Sequence, residues 1–183
     1  MNTFAELITN RRSIRKYTDE SLKPEEVEQI LKAALMAPSS KHSTPWQFVL
    51  VEDKETLKKL SYSKSSGATF VADCSLAVVV LTDPMQSGAC IEDASIAATY
   101  MQLQAEDLGL GSCWVQIKGR ETEAGQDSED YVRMLLDIPL QLCIGCIIAI
   151  GRKEKSGKPF DEAKLQWEKI HVETYKYPSD EAY

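Results

Sequence analysis

Residues 142–150 read Leu142-Cys143-Ile144-Gly145-Cys146-Ile147-Ile148-Ala149-Ile150, and the way this run is taken decides the fold. Its C-x-x-C spacing fits a redox or metal pair. Its unbroken apolar character fits a strand buried on both faces. Residues three apart on a regular strand point to opposite faces, so such a strand could not offer both thiols to one metal. There is no second cysteine pair, and the only histidines are His42 and His171. The run is therefore read as a central strand carrying core cysteines, and the chain as built around a sheet.

Outward from it, three more segments read as strands. They are Cys113-Trp114-Val115-Gln116-Ile117, Ser75 to Leu81 with Val78-Val79-Val80 at its centre, and Trp46-Gln47-Phe48-Val49-Leu50-Val51. Helical spacing fills the gaps. A short helix is expected over Phe4 to Thr9. A second opens at Pro24, with Glu25 and Glu26 at the positive end of its dipole, repeats at Val27, Ile30, Leu31, Ala34 and Leu35, and stops before Pro38. A third runs from about Cys90 to Leu108 with Gly109 as its cap. Its stripe of Ile91, Ala94, Ala98, Met101, Ala105 and Leu108 is rich in small residues, which suits a close-packed partner such as a second subunit. Ser128 is placed to cap a fourth helix through about Asp137, closed by Pro139.

Helices and strands mix from end to end without repeats or linkers, which predicts one α+β or α/β domain over residues 1–183. In the tail from Phe160, Leu165, Trp167, Ile170 and Val172 are too apolar for a solvated segment. The stretch of about 160–183 is expected to pack on a partner chain.

Composition narrows the function classes. The 183 residues are 43% hydrophobic and 27% charged, with 28 acidic against 21 basic side chains and a net charge of −7. No apolar run approaches the ~18–20 residues of a membrane span. The acidic balance argues against general nucleic-acid binding, which rests on neutralising phosphates. Cys74, Cys90, Cys113, Cys143 and Cys146 are an odd, irregular set and not a disulfide framework. The opening residues lack the layout of a secretory signal, so a cytoplasmic protein is expected.

In this acidic chain Arg11-Arg12-Ser13-Ile14-Arg15-Lys16 places four basic residues among six. Arginine forks match phosphate oxygens and Ser13 adds a hydroxyl donor, so the run suits a small anion. The alternative is a solvated basic turn paired with Asp19, Glu20 or the Glu25-Glu26 turn. Ala37-Pro38-Ser39-Ser40-Lys41-His42-Ser43-Thr44-Pro45-Trp46 is dense in donors between a helix and a strand; alone it also reads as a polar loop. In Gly109-Leu110-Gly111-Ser112-Cys113-Trp114 the glycines let backbone approach a ligand. It follows a helix rather than a strand and lacks the G-x-G-x-x-G pattern, so it is not a dinucleotide fingerprint. No P-loop, G-x-S-x-G elbow or H-E-x-x-H pattern occurs.

Taken together and in this order, with Ile148-Ala149-Ile150-Gly151 near the end, these segments resemble the nitroreductase family of flavin mononucleotide (FMN) oxidoreductases, in its short bacterial form. The resemblance covers essentially the whole chain. It implies an α+β fold with a central, mostly antiparallel sheet flanked by helices, and an intertwined homodimer with FMN at the subunit interface. It also implies NADH or NADPH as electron donor, a small acceptor of nitroaromatic or quinone type, and a ping-pong cycle. On this pattern Arg11 and Ser13 would hold the FMN phosphate with Arg12 nearby, and Arg15 would face the pyrimidine edge of the ring. Pro38, Ser39, Ser40 and His42 would reach the same flavin from the partner subunit. Cys113 and Trp114 would lie beside the ring, with a backbone N–H toward its N5. Arg152 and Lys158 are the basic residues after the last strand that would add phosphate contacts.

The chain departs from the family where His42 and Thr44 replace a frequent Asn and Gln. Gly67 and Phe70 stand where many members carry an Asn and a Lys that touch the pyrimidine. Arg15 is then the cation expected at the N1–O2 edge, where charge collects on reduction and a fixed guanidinium stabilises it. The inventory suits a reaction carried by a cofactor, since no protein nucleophile or metal set is evident. A flavin-binding sensor or storage module with little turnover would keep the same residues and is the alternative.

Overall fold

The computed structural model describes residues 2–175. Its centre is a four-stranded sheet of β1 (Trp46–Val51), β2 (Leu76–Thr82), β3 (Gly111–Gln116) and β4 (Cys143–Gly151), ordered β1-β2-β4-β3 with every neighbouring pair antiparallel. The α+β expectation and the four strands are borne out. The two central strands are sealed on both sides, which explains their continuous apolar sequence: all of β2 is buried, as is β4 from Cys146 to Gly151.

One face of the sheet packs on α2 (Pro24–Leu35) and α4 (Cys90–Asp107), joining Ile30 and Ala34 to Val78, Val80, Ala94, Ala98, Met101, Ile148 and Ile150. The other face packs on α3 (Lys54–Leu60) and α5 (Ser128–Leu135), joining Leu57, Leu60 and Val132 to Ala77, Val79, Ile147 and Ala149. A short α1 (Phe4–Asn10) precedes them, closed at its start by a capping box between Thr3 and Glu6.

Several local expectations are corrected. Helix α3 lies in a stretch left unassigned by periodicity; Asp53 starts it by accepting the Thr56 N–H. Helix α5 is capped by Asp127 rather than Ser128, whose hydroxyl instead donates to the Ser63 carbonyl, and it stops at Leu135 because Asp137 is left-handed at φ +51°. On α4, Ile91 is 56% exposed, and the buried side is Asp93, Ala94, Ala97, Ala98, Met101, Gln102 and Ala105. Gly109 ends that helix at φ +75° as expected.

The C-x-x-C run is a strand, but its alternation is broken. The register slips between Val80 and Leu81, so that Gly145 is skipped, and Ile144 joins the same layer as Ile147 and Ala149. A Cβ at Gly145 would stand 3.0 Å from the Ala94 methyl, so the bulge sits where α4 presses on the sheet. Strict alternation therefore does not govern Cys143 and Cys146; both are free thiols.

Candidate functional site

After α1 the chain runs as a strap over one corner of the sheet. Ser13 forms a parallel bridge with Ser112, and the Ile14 N–H donates to the Ser112 carbonyl at 2.9 Å. Tyr17 bridges Lys153, and the Thr18 N–H reaches the Arg152 carbonyl at 2.9 Å. Gly111 and Gly151, paired in register across β3 and β4, make the room. A Cβ at Gly111 would meet Ile14 Cγ2 at 2.7 Å, and one at Gly151 would meet the Tyr17 ring at 2.8 Å. The Tyr17 hydroxyl donates to the Ile14 carbonyl at 2.7 Å and pins the strap from beneath.

This strap gathers the predicted cations at Cys113. The Cys113 thiol donates to the Trp114 carbonyl at 3.6 Å, and Ser13, Arg15, Arg11 and Lys64 all lie within electrostatic reach of it. Burial pushes the thiol's pKa up and these groups pull it down, with burial prevailing, so Cys113 is a neutral wall of the site and not a nucleophile. Arg15 stands over the Phe70 ring, 5.8 Å from its centroid. Among the described residues no carboxylate pairs with Arg11, Arg15 or Lys64. The acids that a solvated basic turn would have used go elsewhere: Glu26 and Glu20 are held by Arg152.

Lys64 escaped the sequence reading. It belongs to no motif, and only the fold brings it to the cluster. It lies beside Gly67, where a Cβ would come 3.8 Å from the Lys64 Nζ, and Gly67 itself is left-handed at φ +75°. The departure to glycine thus leaves space that a lysine three residues earlier occupies.

Arg12 turns away from this cluster. Its stem packs under Gly157, and its guanidinium lies 5.8 Å from the Phe160 ring centroid. Lys158, exposed, is carried on that same segment, which is tied to α1 by the Phe160 N–H donating to the Thr9 carbonyl at 2.8 Å. Arg152, expected to add a phosphate contact, is paired with two acids in the structure. Its guanidinium is committed to Glu26 in two hydrogen bonds of 2.9 and 2.8 Å, with Glu20 Oε1 3.1 Å from Nε. The pairing of Cys113 with Trp114 also divides. Strand alternation sends Cys113 to the α3 and α5 side and Trp114 to the α4 side, where its indole N–H donates to Gln116 Oε1 at 3.0 Å.

The second motif lies far away within the same chain. Pro38, Ser39, Ser40 and His42 precede β1, on the opposite edge of the sheet from β3. Ser40 is tied to the first turn of α4 by its N–H on Asp93 Oδ1 at 2.8 Å, whereas Ser13 pairs with Ser112 just past the last turn. An α4 of 18 residues is about 27 Å long. The loop carries three non-glycine residues in the left-handed region: Lys41 at φ +52°, His42 at +54° and Thr44 at +44°. Asp93, which anchors it, was also missed; on sequence it reads as one more acid in a helix's first turn.

No three His, Cys, Asp or Glu side chains among the described residues are grouped to hold a metal ion, and no helix there is long and apolar enough to cross a membrane.

The sequence matches the Nitroreductase family over residues 8–80 and 70–152. It is 35% identical over 181 residues to a protein of Archaeoglobus fulgidus provisionally named NADH dehydrogenase/NAD(P)H nitroreductase, covering 96% of this chain and all of that one. It is 33% identical to the FMN reductase [NAD(P)H] of Bacillus subtilis, over 96% of this chain and 75% of the relative. Among solved structures, the FMN-dependent nitroreductase of Clostridium difficile R20291 superposes with a TM-score of 0.91 at 40% identity, over 94% of this chain and all of that one.

Proposed function

The chain belongs to the nitroreductase family, and from that premise we propose that it is an FMN-dependent NAD(P)H oxidoreductase acting on a small electron acceptor of nitroaromatic or quinone type. The observation that carries this reading is the unpaired cation cluster at one corner of the sheet. Arg11, Arg15 and Lys64 lie within electrostatic reach of Cys113, and among the described residues no carboxylate pairs with them. Such a set is short of negative charge and suits an anionic ligand.

FMN fits these donors. Arg11 and Ser13 would bind its phosphate, the arginine as a charge-assisted fork and the serine as a neutral donor. Arg15 and Lys64 would face the pyrimidine edge, and Phe70 gives the Arg15 guanidinium a flat surface to rest on. Cys113 walls the site in its neutral form. Arg152 is left out, because its two terminal nitrogens bond Glu26 and Glu20 lies against its Nε; Lys158 and Arg12 remain at the margin through the segment at Gly157. Bound FMN supplies the two-electron chemistry that takes hydride from NADH or NADPH and returns it to the acceptor in a ping-pong cycle. The protein's part is to hold the phosphate, orient the ring and oppose the charge that builds on reduction.

The site is proposed to be completed by a second copy of the chain. Phosphate and ring are both claimed at the Arg11–Arg15 corner, and the loop of Pro38, Ser39, Ser40 and His42 stands at the other end of α4. One flavin can meet both motifs when the loop comes from a partner subunit. The tail supports such a dimer, since Trp167 is 69% exposed and Ile170 62% exposed in the single chain. Packing of the tail on the partner is proposed for the described part, 160–175; residues 176–183 lie outside the described residues. Five free cysteines suit a reducing compartment, and we place the protein in the cytoplasm.

The test is direct. Protein purified yellow should release FMN, identified chromatographically, and its flavin absorbance should bleach with NADH or NADPH without air and return when a quinone is added. FAD in the extract would contradict the cofactor assignment, and a flavin that neither donor bleaches would mark a binding module.

A further inference from the structure

We propose that Asp93 is a positioning residue for the flavin site: from inside its own subunit it fixes the loop that the flavin of the other subunit meets. The inference rests on the shared-site reading above. Asp93 is 1% exposed in the first turn of α4. A buried carboxylate is unfavourable unless its oxygens are satisfied. Among the described residues no lysine, arginine or histidine pairs with it. Its oxygens are used in two hydrogen bonds. Oδ1 accepts the Ser40 N–H at 2.8 Å, and Oδ2 accepts the Ser87 hydroxyl at 2.6 Å.

Packing does not require this charge. Its neighbours on the same buried side of α4, Ala94, Ala97 and Ala98, are small and apolar. The start of the helix does not require it either, because Ser87 Oγ already accepts the Ala89 N–H at 3.0 Å. Besides accepting the Ser87 hydroxyl, Asp93 supplies the link to Ser40.

That link matters because the bonds within residues 39–44 close this stretch on itself, and the Asp83 N–H holds the loop only at its far end, on the Pro45 carbonyl at 3.0 Å. The His42 N–H reaches the Ser39 carbonyl at 3.2 Å, the Ser43 N–H the Ser40 carbonyl at 3.0 Å, and the Thr44 N–H the Ser39 Oγ at 2.9 Å. Within this small knot Lys41, His42 and Thr44 are left-handed without glycine. Strained backbone of this kind persists where the surroundings over-determine it, as at ligand clamps. The hydrogen bond from the first turn of α4 to Ser40, inside the knot, sets where Ser39, Ser40 and His42 stand.

The experiment measures FMN dissociation constants on flavin-free protein reloaded with FMN. Asp93→Ala, which removes the bond to Ser40 along with that to Ser87, is expected to weaken binding about tenfold or more. Asp93→Asn, which keeps an acceptor for the Ser40 N–H, is expected to stay within about threefold of wild type. An Asp93→Ala protein with wild-type affinity, or an Asn variant as weak as the Ala variant, overturns the proposal. If Asp93→Ala does not fold, Ser40→Pro removes the donor half of the same bond and should give the same loss; wild-type affinity there overturns the proposal equally.

A second readout separates positioning from local stability. In a heterodimer of an Asp93→Ala chain with an Arg11→Ala chain, both lesions should fall on one flavin and leave the other site at wild-type affinity. Loss of both sites would place the effect of Asp93 within its own subunit's strap, against the proposal. Failure of wild-type protein to take up any FMN would remove the functional reading itself, and the inference with it.

Discussion

Arg11 and Arg15 sit four residues apart on one strap, yet their truncations should differ. On the proposed reading Arg11→Ala would remove a charge-assisted phosphate bond, and FMN affinity should fall about ten- to a hundredfold in a binding titration. Arg15→Ala should also make the bound flavin harder to reduce. If the lost interaction with reduced cofactor is about 1.5–3 kcal/mol, the midpoint potential of FMN-saturated protein falls by about 30–60 mV. Lys64→Met tests whether the lysine beside Gly67 shares this edge, with a smaller drop of the same sign expected; an unchanged potential would leave Arg15 as the edge's cation by itself. Arg11, Ser13 and Arg15 were legible because four basic residues stand together in an acidic chain. Lys64 was not, because its place depends on a left-handed Gly67 and a turn that no pattern in the sequence marks. The acid partners of Arg152 were hidden for the opposite reason: Glu26 and Glu20 reach it only in the folded chain.

At the scale of elements, the strap depends on two glycines in register. Gly111→Ala would drive a methyl into Ile14, whose Cγ2 and Cβ lie 2.7 and 2.9 Å from the position of that carbon. Overpacking of this kind typically costs about 1–3 kcal/mol, so thermal unfolding should shift downward and FMN affinity should weaken together. Loss of stability with unchanged affinity would separate the strap's seating from the site. The Glu26–Arg152 pair gives a pH signature. Burial raises the Glu26 pKa, but the Lys23 backbone N–H and the Arg152 guanidinium lower it by more, so its carboxyl lies below the ordinary value. A depressed folded pKa contributes stability that is complete above the unfolded carboxyl value of about 4.3 and is lost as pH falls through the folded one. Glu26→Gln should therefore cost about 1–2 kcal/mol at neutral pH, partly screened by solvent, and the gap in denaturation midpoints should close in acid. The strands and long helices were readable from apolar runs, Pro24, Gly109 and Pro139. Helix α3 was not, since seven residues with two buried leucines hardly make a period, and the bulge at Gly145 was not, since it comes from α4 pressing Ala94 on the sheet.

For the whole molecule, the central claim is that two motifs at opposite ends of α4 act on one flavin because two chains supply them. The sequence could not show this: a helix between the motifs leaves either arrangement open, and only the strand order places the loop and the strap on opposite edges. Mass action adds that FMN, bound by the dimer, should strengthen dimerisation as dimerisation strengthens its binding. The most direct measurement co-expresses two differently tagged chains, one changed to alanine at Arg11 and Arg15, the other at Ser39 and Ser40, and counts flavin per purified heterodimer. Each homodimer should fold and bind flavin poorly, while the heterodimer should regain one wild-type site with its NAD(P)H-dependent bleaching. Folded heterodimers that recover neither flavin nor bleaching would mean that both motifs serve the same chain, and the shared site would be wrong.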